Sequence, residues 1–120
     1  MTGRNEKGKA GEDLAKEYLL NHGYELLHAN WRTRKYEVDI IAKKNNILIF
    51  CEVKYRSTNF FGDPESFVTA RKQKNIIKAA ALYVGQTRWQ GENRFDIISV
   101  LETGGGITIN HIENAYGCTW

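Results

Sequence analysis

The chain has 120 residues, of which 42% are apolar and 26% charged, and its formal net charge is +3. This length fits a single domain spanning residues 1–120, and the composition is that of a globular rather than a disordered protein. No apolar run is long enough to span a membrane, and the polar segment from Met1 to Asp13 lacks the apolar core of a signal peptide. We therefore expect a cytoplasmic protein without a membrane partner.

Basic residues are concentrated in the first part of the chain. The first 94 residues hold 17 basic and 11 acidic side chains, whereas the remaining residues hold three acidic and no basic ones. A local excess of positive charge attracts polyanions in a salt-dependent way, although helical lysines are more often simply solvated. Charge alone favours nucleic acid as a partner without establishing it.

The first predicted element is a helix from about Asn5 to His22. Its apolar residues recur at helical spacing, and Gly23 is placed to end it. A strand from Tyr24 to Trp31 follows.

Residues 37–42 and 47–54 form the next two predicted elements, each with the two-residue alternation of a β-strand. Asn tolerates the left-handed backbone conformation of tight hairpins, so Asn45 and Asn46 are expected to form a two-residue turn that pairs Lys44 with Ile47. One face of this hairpin is wholly apolar, and the other is apolar near the turn. Such strands are typically central in a sheet and covered on both sides.

This register gathers charged side chains at the open end of the hairpin. Counting back from the turn places Asp39 opposite Glu52 on one face, and Glu37 opposite Lys54 on the same face. Two adjacent carboxylates repel each other, and a bound cation or the Lys54 ammonium would offset that cost. The alternative interpretation, a Glu37–Lys54 surface ion pair beside solvated carboxylates, leaves the facing pair unexplained.

A loop and a second helix come after the hairpin. The loop at residues 57–65 contains the only proline, and Ser66 is placed to cap a helix that runs to about Val84. Gly85 would end this helix.

Two strands, predicted at residues 94–101 and 107–112 around a run of three glycines, complete the chain. The order αβββαββ predicts an α/β domain with a mixed sheet of about five strands flanked by helices. The helical crossover before residue 94 allows parallel pairing there.

Two charged residues on the helices are secondary candidates. Glu12 shares a helical face with Ala15 and Leu19 and could lean toward the sheet, although an acid near a helix N-terminus is also favourable by itself. Lys72 could direct its ammonium toward the carboxylates, or it could be a surface lysine whose stem covers apolar neighbours.

The cysteines and histidines indicate no further site. Cys51 falls on the apolar face of a strand and Cys118 near the end of the chain, so we expect no disulfide. Neither residue type is spaced as in zinc sites.

Six segments, taken together, carry a resemblance to a known family. They are Gly8-Lys9-Ala10-Gly11-Glu12, Asn30-Trp31-Arg32, residues 37–42, residues 50–56, Lys72-Gln73 and Arg94-Phe95-Asp96. This ordered set covers nearly the whole chain and resembles the YraN-like family of small bacterial proteins. That family belongs to the restriction-endonuclease-like, or PD-(D/E)XK, nuclease superfamily and is similar in outline to archaeal Holliday junction resolvases. The resemblance implies a single restriction-endonuclease-like domain.

The resemblance also implies roles for individual residues. Asp39 and Glu52 would be the metal-binding carboxylates and Lys54 the catalytic lysine. Glu12 would be an additional acidic member of the catalytic set. Tyr36 stands where the family usually has glycine, and a bulky side chain there would narrow access to the site.

These observations predict metal-dependent hydrolysis of nucleic-acid phosphodiester bonds, with structure-selective cleavage of DNA as the expected form. Asp39 and Glu52, with the Val53 carbonyl, would hold Mg²⁺, for which Mn²⁺ can substitute. The residues expected to contact the nucleic-acid backbone are Arg32, Arg34, Arg56 and Lys72.

Two alternatives remain open: a DNA-binding module that keeps the fold but cleaves nothing, and an interaction protein with an incidental basic surface. Resolvase-type cleavage would further require a homodimer with two sites.

Overall fold

The computed structural model describes residues 6–57 and 68–117. Two helices and five strands follow the predicted order. They are α1 (Glu6–Asn21), β1 (Glu25–Thr33), β2 (Tyr36–Lys44), β3 (Ile47–Arg56), α2 (Ala70–Thr87), β4 (Glu92–Thr103) and β5 (Gly106–Tyr116). Most of the predicted loop at residues 57–65, the predicted cap Ser66 and Cys118 lie outside the described residues. No helix in the described part of the chain is long and apolar enough to cross a membrane.

The five strands form one sheet in the order β1-β2-β3-β4-β5. Neighbouring strands are antiparallel except β3 and β4, which are parallel because α2 carries the chain back across the sheet. The α/β class, the mixed five-stranded sheet and the element order are confirmed. Strand β3 is the central strand of this sheet.

Each face of the sheet packs against one helix. The core under α1 includes Ala15, Leu19, Ile40, Ala42, Ile49 and Cys51. The core under α2 includes Val38, Leu48, Phe50, Ile76, Ala79 and Tyr83. The hairpin is therefore covered on both sides, as its apolar faces predict.

The turn between β2 and β3 sets the register of the hairpin. Asn45 adopts a left-handed φ of 56°, and Lys44 pairs with Ile47 across the two-residue turn. The same register continues along the ladder to the pair Ile40–Cys51. The predicted turn is confirmed, and with it the register over these residues.

The start of α2 differs from the prediction. Thr69, not Ser66, is the N-cap, and its hydroxyl accepts a hydrogen bond from the backbone N–H of Lys72 at 3.1 Å. Both residues are of a type that caps helices, so local preference does not distinguish them. Burial of Val68 immediately before the cap favours the later start.

The predicted end of α2 at Gly85 is also wrong. The helix continues to Thr87, and Arg88 ends it with a left-handed φ of 59° and a hydrogen bond from its N–H to the Val84 carbonyl. A glycine inside a helix costs about 1 kcal/mol relative to alanine. The packing of α2 on the sheet outweighs that cost.

Candidate active site

Two buried carboxylates lie where the β2–β3 ladder stops. Asp39 and Glu52 come one residue beyond the last pair, Ile40–Cys51, and are only 5% and 4% exposed. Oδ2 of Asp39 accepts a hydrogen bond from the backbone N–H of Val53 at 2.9 Å. This bond ties the Asp39 carboxylate to β3 beyond the end of regular pairing.

The alternation of side chains between the two faces of the sheet breaks at Asp39 of β2. Alternation predicts Val38 and Ile40 on one face, but Val38 packs in the core under α2 and Ile40 in the core under α1. The prediction for Val38 is wrong because β2 pairs with β3 only as far as Ile40. Beyond that residue, hydrogen bonds to β3 no longer fix the face on which each side chain lies. On the other side, Asn30 of β1 adopts a left-handed φ of 54°. This irregular stretch of β2 carries the Asp39 carboxylate to the Val53 N–H.

Two lysines converge on Glu52. The Nζ atom of Lys54 lies 3.4 Å from Oε2 of Glu52, and the Nζ atom of Lys72 lies 3.8 Å from the same oxygen. Lys54 follows Glu52 along β3, whereas Lys72 comes from the first turn of α2. The other oxygen, Oε1, is buried and has no hydrogen-bond partner among the described residues. One oxygen of the Glu52 carboxylate thus faces two ammonium groups, whereas the other is a buried acceptor without a hydrogen-bond partner among the described residues.

Glu12 is buried at the N-terminal part of α1, with 5% exposure. Its neighbour Gly11 packs against β3 so closely that a Cβ there would lie 3.0 Å from the ring of Tyr55. Within residues 6–57 and 68–117, however, no three His, Cys, Asp or Glu side chains form a group that could hold a metal ion. The structure does not join Glu12 to Asp39 and Glu52 as a three-carboxylate cluster.

The predicted backbone-contact residues lie in three places. Arg32 and Arg34 are exposed on the β1–β2 hairpin, where Nε of Arg32 is 3.4 Å from Oε2 of Glu37. Arg56 is partly buried at the end of β3. Lys72 contacts a site carboxylate directly, because its Nζ atom lies beside Glu52.

The bulky Tyr36 packs inward. Its side chain is partly buried against the core under α2, and the Nζ atom of Lys35 lies 5.8 Å from the ring centre. The ring therefore fills space in the core beside β2.

A second group of buried charged residues surrounds Asp96, and it belongs to none of the predicted sites. Asp96 of β4 is fully buried and accepts hydrogen bonds from Nη2 of Arg94 at 2.8 Å and from the backbone N–H of Asn114 at 3.1 Å. Its Oδ2 also lies 2.7 Å from Nε2 of His111. Burial raises the pKa of Asp96, but the hydrogen bonds to His111 and Arg94 outweigh it and hold that pKa below its ordinary value.

This Asp96 network links strands rather than lining the carboxylate–lysine site. Arg94 also donates from Nη2 to the hydroxyl of Tyr24, just before β1, at 2.6 Å. Part of this network could have been predicted from the sequence. Arg94 and Asp96 are two residues apart, so both side chains lie on one face of a strand. The network ties β4 to β5 and to the start of β1.

The fold and site define an α/β protein with two buried carboxylates and two lysines at the open end of a central hairpin. The chain belongs to the uncharacterised protein family UPF0102, whose family model matches residues 11–100. The YraN-like family predicted from the sequence is thereby confirmed. The matched range contains each residue of the predicted catalytic set, namely Glu12, Asp39, Glu52 and Lys54.

Relatives match along almost their whole length. A UPF0102 protein of Christiangramia forsetii is 47% identical, with 97% of this chain and 98% of the relative covered. For UPF0102 proteins of Parabacteroides distasonis and Syntrophomonas wolfei the identities are 42% and 45%. These alignments cover 97% and 92% of this chain and 96% and 97% of the relatives, respectively. The chain is thus similar to these proteins over more than nine-tenths of its length.

Proposed function

We propose that this protein is a metal-dependent endonuclease of the PD-(D/E)XK superfamily that hydrolyses phosphodiester bonds in DNA. The observation that carries the proposal is the burial of Asp39 and Glu52 at the open end of the central hairpin, with the ammonium groups of Lys54 and Lys72 beside Glu52. Buried carboxylates can hold a catalytic metal ion, and neighbouring ammonium groups can stabilise the charge that develops during phosphodiester cleavage.

The donor atoms fit a hard divalent cation. Mg²⁺ prefers oxygen ligands, keeps several waters, and is commonly held by one or two carboxylates. The Asp39 and Glu52 carboxylates, with the Val53 carbonyl, would hold it, and Mn²⁺ accepts the same ligands. The buried Oε1 of Glu52, which has no hydrogen-bond partner among the described residues, supports this assignment. A buried acceptor without a partner is costly, and a cation would remove that cost.

When bound, the cation would polarise the phosphate and increase the acidity of a nearby water. The Lys54 ammonium would orient the attacking water or stabilise the charge that develops on the phosphoryl oxygens. The buried setting of Glu52 strengthens these interactions, because the effective dielectric constant is lower there than in water.

The basic surface supports a nucleic-acid substrate. Arg32 and Arg34 are exposed on the β1–β2 hairpin, where they are available to phosphates. Contacts of this kind position a nucleic acid without reading its sequence. We therefore propose selection by DNA structure, as in branched or flapped substrates, rather than by base sequence.

The direct test is incubation with linear, flapped and four-way DNA in the presence of Mg²⁺ or Mn²⁺. We expect cleavage that Lys54→Met reduces by about 10²–10³-fold, the usual effect of removing one group that stabilises developing charge. Lys78→Met is the matched control, because Lys78 is an exposed lysine of α2. Absence of cleavage of every DNA substrate would overturn the proposal. DNA binding without cleavage would identify a catalytically silent binding module.

A further inference from the structure

Lys72 lies between the site carboxylate Glu52 and the solvent. Its ammonium lies 3.8 Å from Oε2 of Glu52, yet its side chain is 41% exposed. It therefore has a carboxylate on one side and solvent on the other. Lys54, which is 27% exposed, already lies 3.4 Å from the same oxygen. Glu52 thus has two cations beside Oε2, while Oε1 has no hydrogen-bond partner in the described part of the chain.

We propose that Lys72 is an exchangeable counter-ion, which pairs with Glu52 when no metal is bound and with a substrate phosphate once a divalent cation binds Glu52. This inference rests on the proposed function. A cation on Glu52 neutralises the charge that attracts Lys72 and repels its ammonium at short range. The flexible four-carbon stem of lysine lets that ammonium turn to a new partner without backbone movement.

The backbone around Lys72 is held in place by two hydrogen bonds and by the burial of Val68. The hydroxyl of Thr69 accepts a hydrogen bond from the Lys72 N–H, and Nε2 of Gln73 donates to the Val68 carbonyl at 3.0 Å. Val68 is itself buried, with 3% exposure. Exchange is therefore confined to the side chain, and the ammonium stays at the rim of the site in both states.

The start of α2 also favours an anion as the second partner. Its first turn contains no acidic residue, so no side chain of that turn neutralises the partial positive charge of the helix N-terminus. A phosphate that displaces water beside Lys72 would meet both the ammonium and this end of the helix. The preferred second partner of Lys72 is accordingly a phosphate of the substrate.

The scheme couples two binding events. In the metal-free protein Lys72 competes with the cation for Glu52, and in the metal-bound protein it contributes to DNA binding. Metal and DNA should therefore strengthen each other's binding, because linkage between two ligands is reciprocal. Removing the ammonium should tighten metal binding alone and weaken the coupling.

The test measures binding in the full chain. Calorimetry gives the affinity for Mg²⁺ without DNA, and fluorescence anisotropy gives the affinity for a four-way DNA with and without Ca²⁺, which takes the same oxygen ligands. For Lys72→Met we expect tighter Mg²⁺ binding than in the parent protein. Ca²⁺ should also increase the DNA affinity of this variant less, by a factor that is about 5-fold or more smaller than in the parent protein. Lys78→Met should match the parent protein in both measurements.

The outcomes separate this inference from the proposed function. If the parent protein binds Mg²⁺ and Lys72→Met binds it equally or more weakly, the inference alone is overturned. Tighter metal binding with an undiminished effect of Ca²⁺ on DNA affinity also overturns it. A parent protein that binds no divalent cation overturns both proposals.

Discussion

The two site carboxylates have different partners. Asp39 accepts a hydrogen bond from a backbone N–H, whereas Glu52 faces two ammonium groups through one oxygen. Both residues were predicted from the sequence, because the Asn45–Asn46 turn sets the register as far as the pair Ile40–Cys51, next to which they lie. Their exact placement was not predictable, since the alternation along β2 breaks at Asp39. For Lys72 the sequence left two interpretations, an ammonium directed toward the carboxylates and a surface lysine. Helical spacing did not distinguish them, because it does not determine where the ammonium of a long side chain lies.

Neutralising either carboxylate should weaken metal binding. We expect Asp39→Asn and Glu52→Gln each to reduce the affinity for Mg²⁺ by about tenfold or more, which is about 1.4 kcal/mol. The reason is the loss of a charged oxygen ligand in a buried site. Isothermal calorimetry measures this, with Glu25→Gln as the control because Glu25 is exposed on β1. Unchanged affinity in both site variants would rule out the assigned metal ligands.

Asp96 should contribute strongly to stability. Asp96→Asn removes the buried charge that pairs with Arg94, and we expect a loss of about 3–5 kcal/mol in the free energy of unfolding at pH 7. Urea denaturation measures this. The control is Glu113→Gln, whose exposed carboxylate lies 3.8 Å from Arg94 and should matter by about 1 kcal/mol or less. Equal effects of the two substitutions would contradict the role of Asp96.

The same network predicts a response to acid. The pKa of Asp96 is lower in the folded protein than its ordinary value of 3.8, so the unfolded chain takes up the proton first as pH falls. The stabilisation is complete above pH 3.8 and is lost as pH drops through the folded pKa. In urea titrations the difference between the parent protein and Asp96→Asn should hence shrink below pH 3.8. A difference that grows toward acid pH would contradict this sign.

Among the secondary-structure elements, α2 shows that local sequence preferences do not determine where a helix begins and ends. Its existence and apolar face were predictable from helical spacing, but both of its ends were misplaced. Thr69 caps the helix because Val68 is buried beside it, and Gly85 continues the helix because α2 packs on the sheet. Both causes are tertiary. Likewise, alternation placed Val38 on the wrong face because it cannot reveal where strand pairing stops.

The observed cap can be distinguished from the predicted one by mutation. Thr69→Ala should lower the free energy of unfolding by about 1 kcal/mol, since it removes the acceptor for the Lys72 N–H. Ser66→Ala should leave it nearly unchanged because α2 begins after Thr69. Thermal and urea denaturation of the two variants provide the comparison. A larger loss in Ser66→Ala than in Thr69→Ala would place the functional cap at residue 66.

Gly85 provides a site for stabilisation. A Cβ at this helical position would meet no atom within 4 Å, so Gly85→Ala should raise the free energy of unfolding by about 0.5–1 kcal/mol. The contrasting variant is Gly91→Ala, where a Cβ would lie 2.6 Å from the backbone oxygen of Asn46. We expect that substitution to destabilise the protein in the same urea experiment. Destabilisation by Gly85→Ala would mean that α2 does not continue through this residue.

For the whole molecule, the order of elements was enough to predict a mixed sheet between helices. The crossover through α2 explains the parallel β3–β4 pair, and the two apolar faces of the hairpin explain its central place. The Asp96 network was not predictable in full, because His111 lies on another strand and a register irregularity separates Phe95 from Ile97 in the β4–β5 pairing. Pairing of β4 with β5 also extends both strands beyond their predicted ends.

The central position of β3 can be probed through its thiol. Cys51 is fully buried, and burial raises its pKa well above the ordinary value. In a Cys118→Ser background the thiol should therefore react with a disulfide reagent only as fast as the fold opens. The reaction should accelerate with urea as unfolding does. Rapid labelling in native buffer would contradict this burial.

The parallel pairing of β3 with β4 has a consequence for synthesis on the ribosome. The charged side chains of the candidate site all precede residue 73, but β3 acquires its second neighbour only after Glu92–Thr103 has been translated. A nascent chain that ends before β4 therefore contains all the charged residues of the site, but its sheet has only strands β1 to β3. The apolar strand β3 is then an unpaired edge strand. Strands β4 and β5 contribute none of these side chains, yet they complete the sheet on which those side chains lie.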